Sequence, residues 1–345
     1  MPVARRILAL SATAALSLGL VACSDNAENS ENAENSEAAS SSTADSTFPR
    51  TIQTQDKDRQ ETDLTIESQP TKIVSASVTL TGALLSLDAP VVASAGGNPD
   101  APMFADGTGF GLAWDEVAQQ KGIDSIYTIG SASAEAVLAQ DPDLVVMSNV
   151  GNDSGVEIYD QLKDIVPVQV IDYSDQSWQD TTREVAEAAG LEDKADEVIG
   201  DYDAAVEKAK GNLDIEQPVN IVSPTKDGMN FFTEESAQGQ IFSDLGIEVA
   251  TPAEDLVGTS AQGSKRGDVK AVNTENLPLA LDGKSAFVLN LGGKPADEKV
   301  RKDPQLADTE SVRNNHVYPL DGEFFRIDAF SAKDLVDHLQ EEFGK

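Results

Sequence analysis

Residues 191–212 read LEDKADEVIGDYDAAVEKAKGN, and the pattern of this stretch determines how the rest of the chain is interpreted. Its apolar side chains recur at steps of three and four residues: Ala195, Val198, Ile199, Tyr202, Val206 and Ala209. This spacing gives a helix one apolar face, and a helix of about 20 residues is roughly 30 Å long. Such a helix either lies on the surface of one domain or rigidly connects two lobes.

Short apolar runs alternate with helical patterns on both sides of this helix. Strands are predicted at 72–76, 90–94, 143–148, 168–171, 219–222, 247–249, 286–290 and 316–320. Helices are predicted at 79–87, 133–140, 155–165, 238–245, 274–281 and 331–343, and a β-hairpin at 51–68. Strands that alternate with helices favour mostly parallel sheets. We therefore expect an α/β fold with an N-terminal lobe at 48–190, the connecting helix at 191–212 and a C-terminal lobe at 213–345.

The N-terminal residues have the pattern of a targeting signal. Residues 1–22 place a basic start before an apolar run that is short for a membrane span, which needs about 20 apolar residues. The run ends in Leu20-Val21-Ala22-Cys23, which looks like the bacterial lipobox and implies cleavage before a lipid-modified Cys23. The alternative is an ordinary signal peptide followed by a chance cysteine. Residues 24–47 lack large apolar side chains, so 23–47 is predicted to be a lipidated cysteine with a flexible acidic tether.

The charge balance and the scarcity of cysteine and histidine exclude several classes of function. The 60 Asp and Glu residues outnumber the 25 Lys and Arg residues, and the formal net charge is −35. Such a chain repels phosphate backbones, so we expect no nucleic-acid partner. Cys23 is the one cysteine and there are two histidines, which rules out an internal disulfide, a thiolate zinc cluster and a multi-histidine metal site.

Motifs for catalysis are incomplete. Gly107–Leu112 approaches the dinucleotide-binding fingerprint, but Leu112 replaces its last glycine and no predicted strand leads into it. Ser223-Pro224-Thr225-Lys226 fits the Ser-x-x-Lys of penicillin-binding enzymes, but the partner Lys-Thr-Gly is absent. No Gly-x-Ser-x-Gly elbow occurs. The sequence therefore predicts a protein that is not an enzyme, with no catalytic residues and no cofactor.

Several stretches carry a resemblance to a known family. They are Val74–Gly82, Ser133–Val137, Tyr159–Leu162, Ser177–Gln179, Glu235–Gln240, Ala261–Arg266, Phe325–Asp328 and Ser331–Ala332. With the lipobox and the tether, they resemble the substrate-binding lipoproteins of ABC importers. The resemblance is to the helix-linked class that carries iron chelates and cobalamin, and most of all to its ferric-enterobactin-binding members. It runs from about residue 70 to the end of the chain.

The resemblance implies a monomeric, two-lobed clamp with a ligand cleft between the lobes. It implies a protein that captures a ferric siderophore of the catecholate type and delivers it to an ABC permease and its ATPase. The chain would be lipid-anchored on the outer face of the cell membrane. Another iron chelate, haem or cobalamin stay open as ligands, and a siderophore esterase on the same scaffold is a further alternative.

The charge of a ferric catecholate predicts a binding site with positively charged side chains. Three catecholates fill the coordination of Fe(III) and leave a net charge of about −3, so the protein must supply positive charge rather than metal ligands. Guanidinium groups fit best because they are always charged and stack on rings. Lys265 and Arg266 lie in a glycine-containing loop, and Arg326 follows two phenylalanines. The alternatives are a solvated charge pair for the first two and a salt bridge for Arg326.

Further candidates line the predicted cleft or face the permease. Phe110 and Trp114 in the N-terminal lobe and Phe232 in the C-terminal lobe are candidate stacking walls, with the core as the alternative. Thr79 and Thr81 open a helix whose amides could meet an anion. The resemblance assigns permease docking to one glutamate on each lobe, Glu135 and Glu275. Helix-start acids have a structural explanation as well, because the helix dipole favours them.

Overall fold

The N-terminal half of the chain is built around a five-stranded parallel sheet. A computed structural model describes residues 47–258, 267–291 and 295–345. This half contains β1 (Arg50–Gln55), β2 (Glu61–Ile66), β3 (Ile73–Ser75), α1 (Val78–Ser86), β4 (Val91–Gly96), α2 (Asp115–Gln120), β5 (Asp124–Thr128), α3 (Ala134–Leu138), β6 (Leu144–Ser148), α4 (Tyr159–Leu162) and β7 (Val168–Ile171). The strand order is β5-β4-β3-β6-β7. We call these elements, with α5 below, the N-terminal lobe.

Two helices, α5 (Trp178–Ala189) and α6 (Glu192–Ala209), follow β7 and lead to the second half of the chain. The apolar face predicted for α6 is buried: its N-terminal Ala195 belongs to the core of the first half, whereas Ile199, Tyr202 and Val206 belong to the core of the second. The 18 residues of α6 span about 27 Å. The prediction of a helix that connects two lobes is therefore confirmed. Tyr202 also packs edge-on against Trp178, with 5.0 Å between ring centroids.

The second half contains another five-stranded sheet. Its elements are β8 (Val219–Pro224), β9 (Gly228–Phe232), α7 (Ala237–Asp244), β10 (Val269–Asn273), α8 (Leu277–Ala280), β11 (Ser285–Leu289), α9 (Ala296–Lys302), α10 (Glu310–Arg313), β12 (Val317–Leu320) and α11 (Ala329–Phe343). The strand order is β10-β9-β8-β11-β12; β8, β11 and β12 are parallel, and β9 is antiparallel to both neighbours. We call these elements the C-terminal lobe. The predicted α/β fold with two sheets flanked by helices is confirmed.

Some predicted elements differ in the structure. The helix predicted at 155–165 is reduced to a 3₁₀ turn, Val156–Ile158, followed by α4. Just before this turn, a Cβ on Gly155 would lie 3.2 Å from the carbonyl oxygen of Ala76, so the chain passes close to the residue that follows β3. The strand predicted at 247–249 is only an isolated bridge between Val249 and Val219.

The predicted hairpin, β1 and β2, is present and covers an edge of the first sheet. Its buried Thr54 hydroxyl donates to the Val170 carbonyl at 3.0 Å and accepts from the Val170 amide at 2.8 Å. One side chain thereby pairs two backbone groups of the edge strand β7, which would otherwise need a neighbouring strand. Within the described part of the chain, no helix is long and apolar enough to cross a membrane.

Candidate functional site

A cleft lies where the two lobes meet. On the N-terminal side it is lined by residues 78–79 at the start of α1 and by 103–104 and 111–114 of the segment after β4. On the C-terminal side it is lined by Glu323 and by residues 326–328, which connect β12 to α11. The two lobes touch at this point, since a Cβ on Gly82 would lie 2.0 Å from a carboxylate oxygen of Asp328. Ligands of α/β proteins commonly bind at such loop-lined crevices.

Arg326 crosses this cleft. Its Nη1 donates to the Thr79 Oγ1 of the opposite lobe at 2.6 Å, and its guanidinium lies over the Phe104 ring, 5.4 Å from the centroid. The Nε of Arg326 is buried and has no hydrogen-bond partner among the described residues. A buried donor without a partner is costly unless a ligand satisfies it. The candidate cation is therefore located in the cleft, together with an aromatic ring that sequence reasoning missed.

The N-terminus of α1 is occupied by a carboxylate of the protein itself. Asp153 is 3% exposed and accepts from the Ser77 hydroxyl at 2.6 Å, the Val78 amide at 2.9 Å and the Tyr173 hydroxyl at 2.9 Å. Burial, and then the Asp153 charge, raise the pKa of Tyr173. The helix amides expected to meet a ligand anion are thus already bonded. Of the two predicted threonines of α1, it is Thr79 that lines the cleft, where its hydroxyl accepts a hydrogen bond from the cation.

Of the other predicted contact residues, one lines the cleft and the rest lie in the core behind it. Trp114 borders the cleft but is only 2% exposed, and it packs against Phe110 in the core of the N-terminal lobe, with 5.2 Å between ring centroids. Phe110 is 1% exposed and lies behind it in the core. Phe232 is 5% exposed and packs edge-on against Phe325 in the core of the C-terminal lobe. Thr81 is fully buried, and its hydroxyl bonds to those of Ser75 and Ser94; it does not line the cleft.

Two acids that sequence reasoning missed also line the cleft. The Asp328 carboxylate caps α11 by accepting from the amides of Phe330 and Ser331, both at 3.0 Å. Its other oxygen faces Gly82. Burial raises the pKa of Asp328 to about 6. Burial likewise raises the pKa of Glu323, with a smaller contribution from Asp334. The capping pattern of Asp328 and Ser331 is readable in the sequence, but its position against the other lobe is not.

The matched region covers most of both lobes. Residues 110–324 match the family described as Periplasmic binding protein. The chain belongs to this family. A relative, the ferric enterobactin-binding periplasmic protein FepB of Escherichia coli O6:H1, is 41% identical over 299 residues, which cover 85% of this chain and 93% of that protein. The iron(3+)-hydroxamate-binding protein YxeB of Bacillus subtilis is 25% identical over 79% of each chain.

Solved structures agree with this membership of the periplasmic binding protein family. The crystal structure of holo-ViuP superposes with a TM-score of 0.75 at 29% identity, covering 87% of this chain and 96% of that one. The catecholate-siderophore binding protein VctP of Vibrio cholerae has a TM-score of 0.58 at 18% identity and covers 85% and 100%. At that identity, VctP shows a shared fold.

The remaining predicted residues of this periplasmic binding protein are spread over both lobes. Glu135 is exposed in the first turn of α3, and Glu275 is exposed in the 3₁₀ turn Thr274–Asn276 that precedes α8. They lie on different lobes, as predicted. Lys265, Arg266 and Cys23 lie outside the described residues, and their assignments stay predictions.

Proposed function

We propose that this chain is the substrate-binding component of an ABC importer, and that it captures a ferric siderophore of the tris-catecholate type, such as ferric enterobactin. The observation that carries the proposal is Arg326, a cleft cation beside the Phe104 ring whose buried Nε has no hydrogen-bond partner in the described part of the chain. The name of FepB, 41% identical over nearly its whole length, supports the same ligand class. Iron enters here as cargo within its chelator.

The described residues that line the cleft carry too little positive charge for the proposed ligand. One guanidinium, Arg326, is matched by two carboxyl groups, Glu323 and Asp328, among the described lining residues. A ligand of about −3 requires more positive charge than this. We assign that charge to Lys265 and Arg266. The residue that follows them in the described part of the chain supports this assignment. The carbonyl of Gly267 accepts a hydrogen bond from Thr233 at 2.8 Å. Thr233 directly follows Phe232, whose ring packs against Phe325, the neighbour of Arg326.

The test compares ferric chelates of different charge. The mature protein is mixed with ferric enterobactin, with ferrichrome, which is a neutral hydroxamate chelate, or with haem, and retained chelate is measured after ultrafiltration by its visible absorbance. We expect retention of ferric enterobactin. Arg326→Ala should weaken it by about 2 kcal/mol, as for a lost charge-assisted hydrogen bond. Arg183→Ala is the matched control, since Arg183 is half exposed on α5 and pairs with Asp180.

Retention of ferrichrome or haem without ferric enterobactin would reject the catecholate assignment. Equal affinity of the Arg326→Ala and Arg183→Ala proteins would remove Arg326 from the site. The proposal includes no chemical step, so the chelate recovered from the complex should have an intact backbone by mass spectrometry. Recovery of hydrolysed chelate would instead favour the esterase.

We also propose that the liganded protein acts as a monomer that docks on a membrane permease through Glu135 and Glu275. Two exposed acids on separate lobes allow the permease to read the relative position of the lobes. The double variant Glu135→Arg, Glu275→Arg should bind the chelate normally and fail to support its uptake by cells. The matched control reverses Glu116 and Glu310, which are first-turn glutamates of α2 and α10, one on each lobe. Equal uptake by both double variants would place the docking surface elsewhere.

Finally, we propose that a lipid on Cys23 holds the protein on the outer face of the cell membrane. The lipobox-like Leu20–Cys23 stretch supports this. Cys23→Ala should move the protein from the membrane fraction to the soluble fraction when cells are fractionated. A variant that stays with the membrane would contradict the lipobox.

A further inference from the structure

The segment that carries Arg326 is a short turn with unusual backbone support. Residues Gly322–Phe325 form a 3₁₀ turn, and the last carbonyl groups of any such turn lack partners within it. Here the side-chain amide of Gln238 donates the hydrogen bonds that these carbonyl groups lack. Its Nε2 donates to the Phe324 carbonyl at 2.7 Å and to the Phe325 carbonyl at 2.8 Å. Both hydrogens of one amide are therefore used on the two residues that precede Arg326.

Gln238 is itself held rigidly. It is 3% exposed and lies in the first turn of α7. The Ser236 side chain caps this helix by accepting from the Gly239 amide at 2.9 Å. A Cβ on Gly239 would lie 1.9 Å from the Thr233 carbonyl oxygen, so the start of α7 sits directly on the end of β9. The position of the Gln238 amide is thus fixed by the sheet of the C-terminal lobe.

The other side of Arg326 is also fixed. The Ser331 hydroxyl donates to the Arg326 carbonyl at 3.0 Å. The backbone of Arg326 is therefore held between the Gln238 amide and the first turn of α11. This support matters because an arginine side chain has many rotamers, and ordering it on binding costs free energy. A fixed backbone limits the directions in which the guanidinium can point.

We propose that Gln238 is a positioning residue of the ligand site: its amide fixes the two carbonyls before Arg326 and thereby aims the guanidinium across the cleft. Gln238 is not among the residues that line the cleft, so it acts through Arg326. The inference rests on the proposed function, because its readout is the affinity for the ferric chelate. A residue with a purely structural role would lower stability without a specific coupling to Arg326.

A double-mutant cycle separates these two roles. Gln238→Met keeps the length of the side chain and removes both donors. With Arg326 present, we expect the affinity for ferric enterobactin to fall about fivefold to tenfold, the equivalent of roughly one hydrogen bond. In the Arg326→Ala protein, the same substitution should change affinity by less than about twofold. Melting temperature should fall equally in both proteins.

Gln240→Met is the matched control, because Gln240 is exposed two positions further along α7. It should leave affinity unchanged. If Gln238→Met fails to fold, Gln238→Asn replaces it; the shorter side chain keeps the amide but cannot reach both carbonyls. Equal losses of affinity with and without Arg326 would overturn the inference. A wild-type protein that does not bind ferric enterobactin would instead reject the proposed function, so the two failures are distinguishable.

Discussion

Asp328 is the group whose ionisation should be most visible in the stability of the protein. It is 9% exposed and lies between the start of α11 and Gly82 of the opposite lobe. Burial raises its pKa from 3.8 to about 6, and the nearby Asp334 acts in the same direction. The folded state thus binds a proton more tightly than the unfolded state. The resulting stabilisation is complete below about pH 4 and is lost as the pH rises through about 6.

The substitution Asp328→Asn removes this ionisation and keeps the cap. Because the pKa of Asp328 is raised by about two units, ionising this group lowers the free energy of unfolding by about 3 kcal/mol at neutral pH. Asparagine caps helices about as well as aspartate. Its amide group, however, would face Gly82 without a partner, at a cost of about 1–2 kcal/mol. We therefore expect the variant to be more stable than the wild type by about 1 kcal/mol at pH 7.5. At pH 4, where Asp328 is protonated, it should be less stable by about 1–2 kcal/mol.

Urea denaturation followed by circular dichroism at both pH values measures this change of sign. Glu341→Gln is the matched control, because Glu341 is an exposed acid on the same helix and should show little change at either pH. A variant that is destabilised equally at pH 7.5 and pH 4 would refute the reasoning. In that case Asp328 would not be a buried, ionised carboxylate at the contact between the lobes.

Three further substitutions test contacts described above. Gly82→Ala places a methyl group 2.0 Å from an Asp328 oxygen, so it should separate the lobes and increase the radius of gyration measured by small-angle scattering. Gly200→Ala should leave the radius of gyration unchanged, because its methyl group would meet no described residue within 4 Å. Thr54→Val removes both bonds of the hairpin to β7 and should lower the free energy of unfolding by about 2 kcal/mol in urea. Asp153→Asn should lower the free energy of unfolding by about 2–3 kcal/mol in the same assay, because one carboxylate accepts hydrogen bonds from several donors at the start of α1. An unchanged urea midpoint would contradict the role of Asp153 as the cap of α1.

The elements that the sequence predicted well are those whose pattern is local. The apolar positions of α6 repeat over 18 residues, and the strands β6 and β11 are buried throughout. The strands β5, β9 and β10 were missed. The strand β9 reads GMNFF and β10 reads VKAVN, so neither shows a clear alternation or a continuous apolar run. They are strands because β9 pairs with the edge of β8, and β10 then pairs with the edge of β9.

Sequence reasoning selected one cleft residue, Arg326, from its own chemistry, and its role in binding stays a prediction. Arg326 could be selected because arginines are few and an anionic chelate needs a cation. The roles of Thr79 and Asp153 could not be predicted, because the acid that reaches α1 is more than 70 positions away in the chain. The Phe104 ring was missed for a similar reason: its loop, residues 98–106, contains no cation, and only the fold brings the ring under a guanidinium of the other lobe.

The chain has two tryptophans, and they lie at two different places in the fold. Trp114 borders the cleft, whereas Trp178 packs against Tyr202 where α5 meets α6. Their emission would therefore report two separate events. A chain with Trp114 alone would respond to a chromophore that enters the cleft, and a chain with Trp178 alone would respond to bending between the two helices. Stopped-flow recordings of the two single-tryptophan proteins would show whether the contact between α5 and α6 changes when a chelate enters the cleft, and which of the two signals changes first.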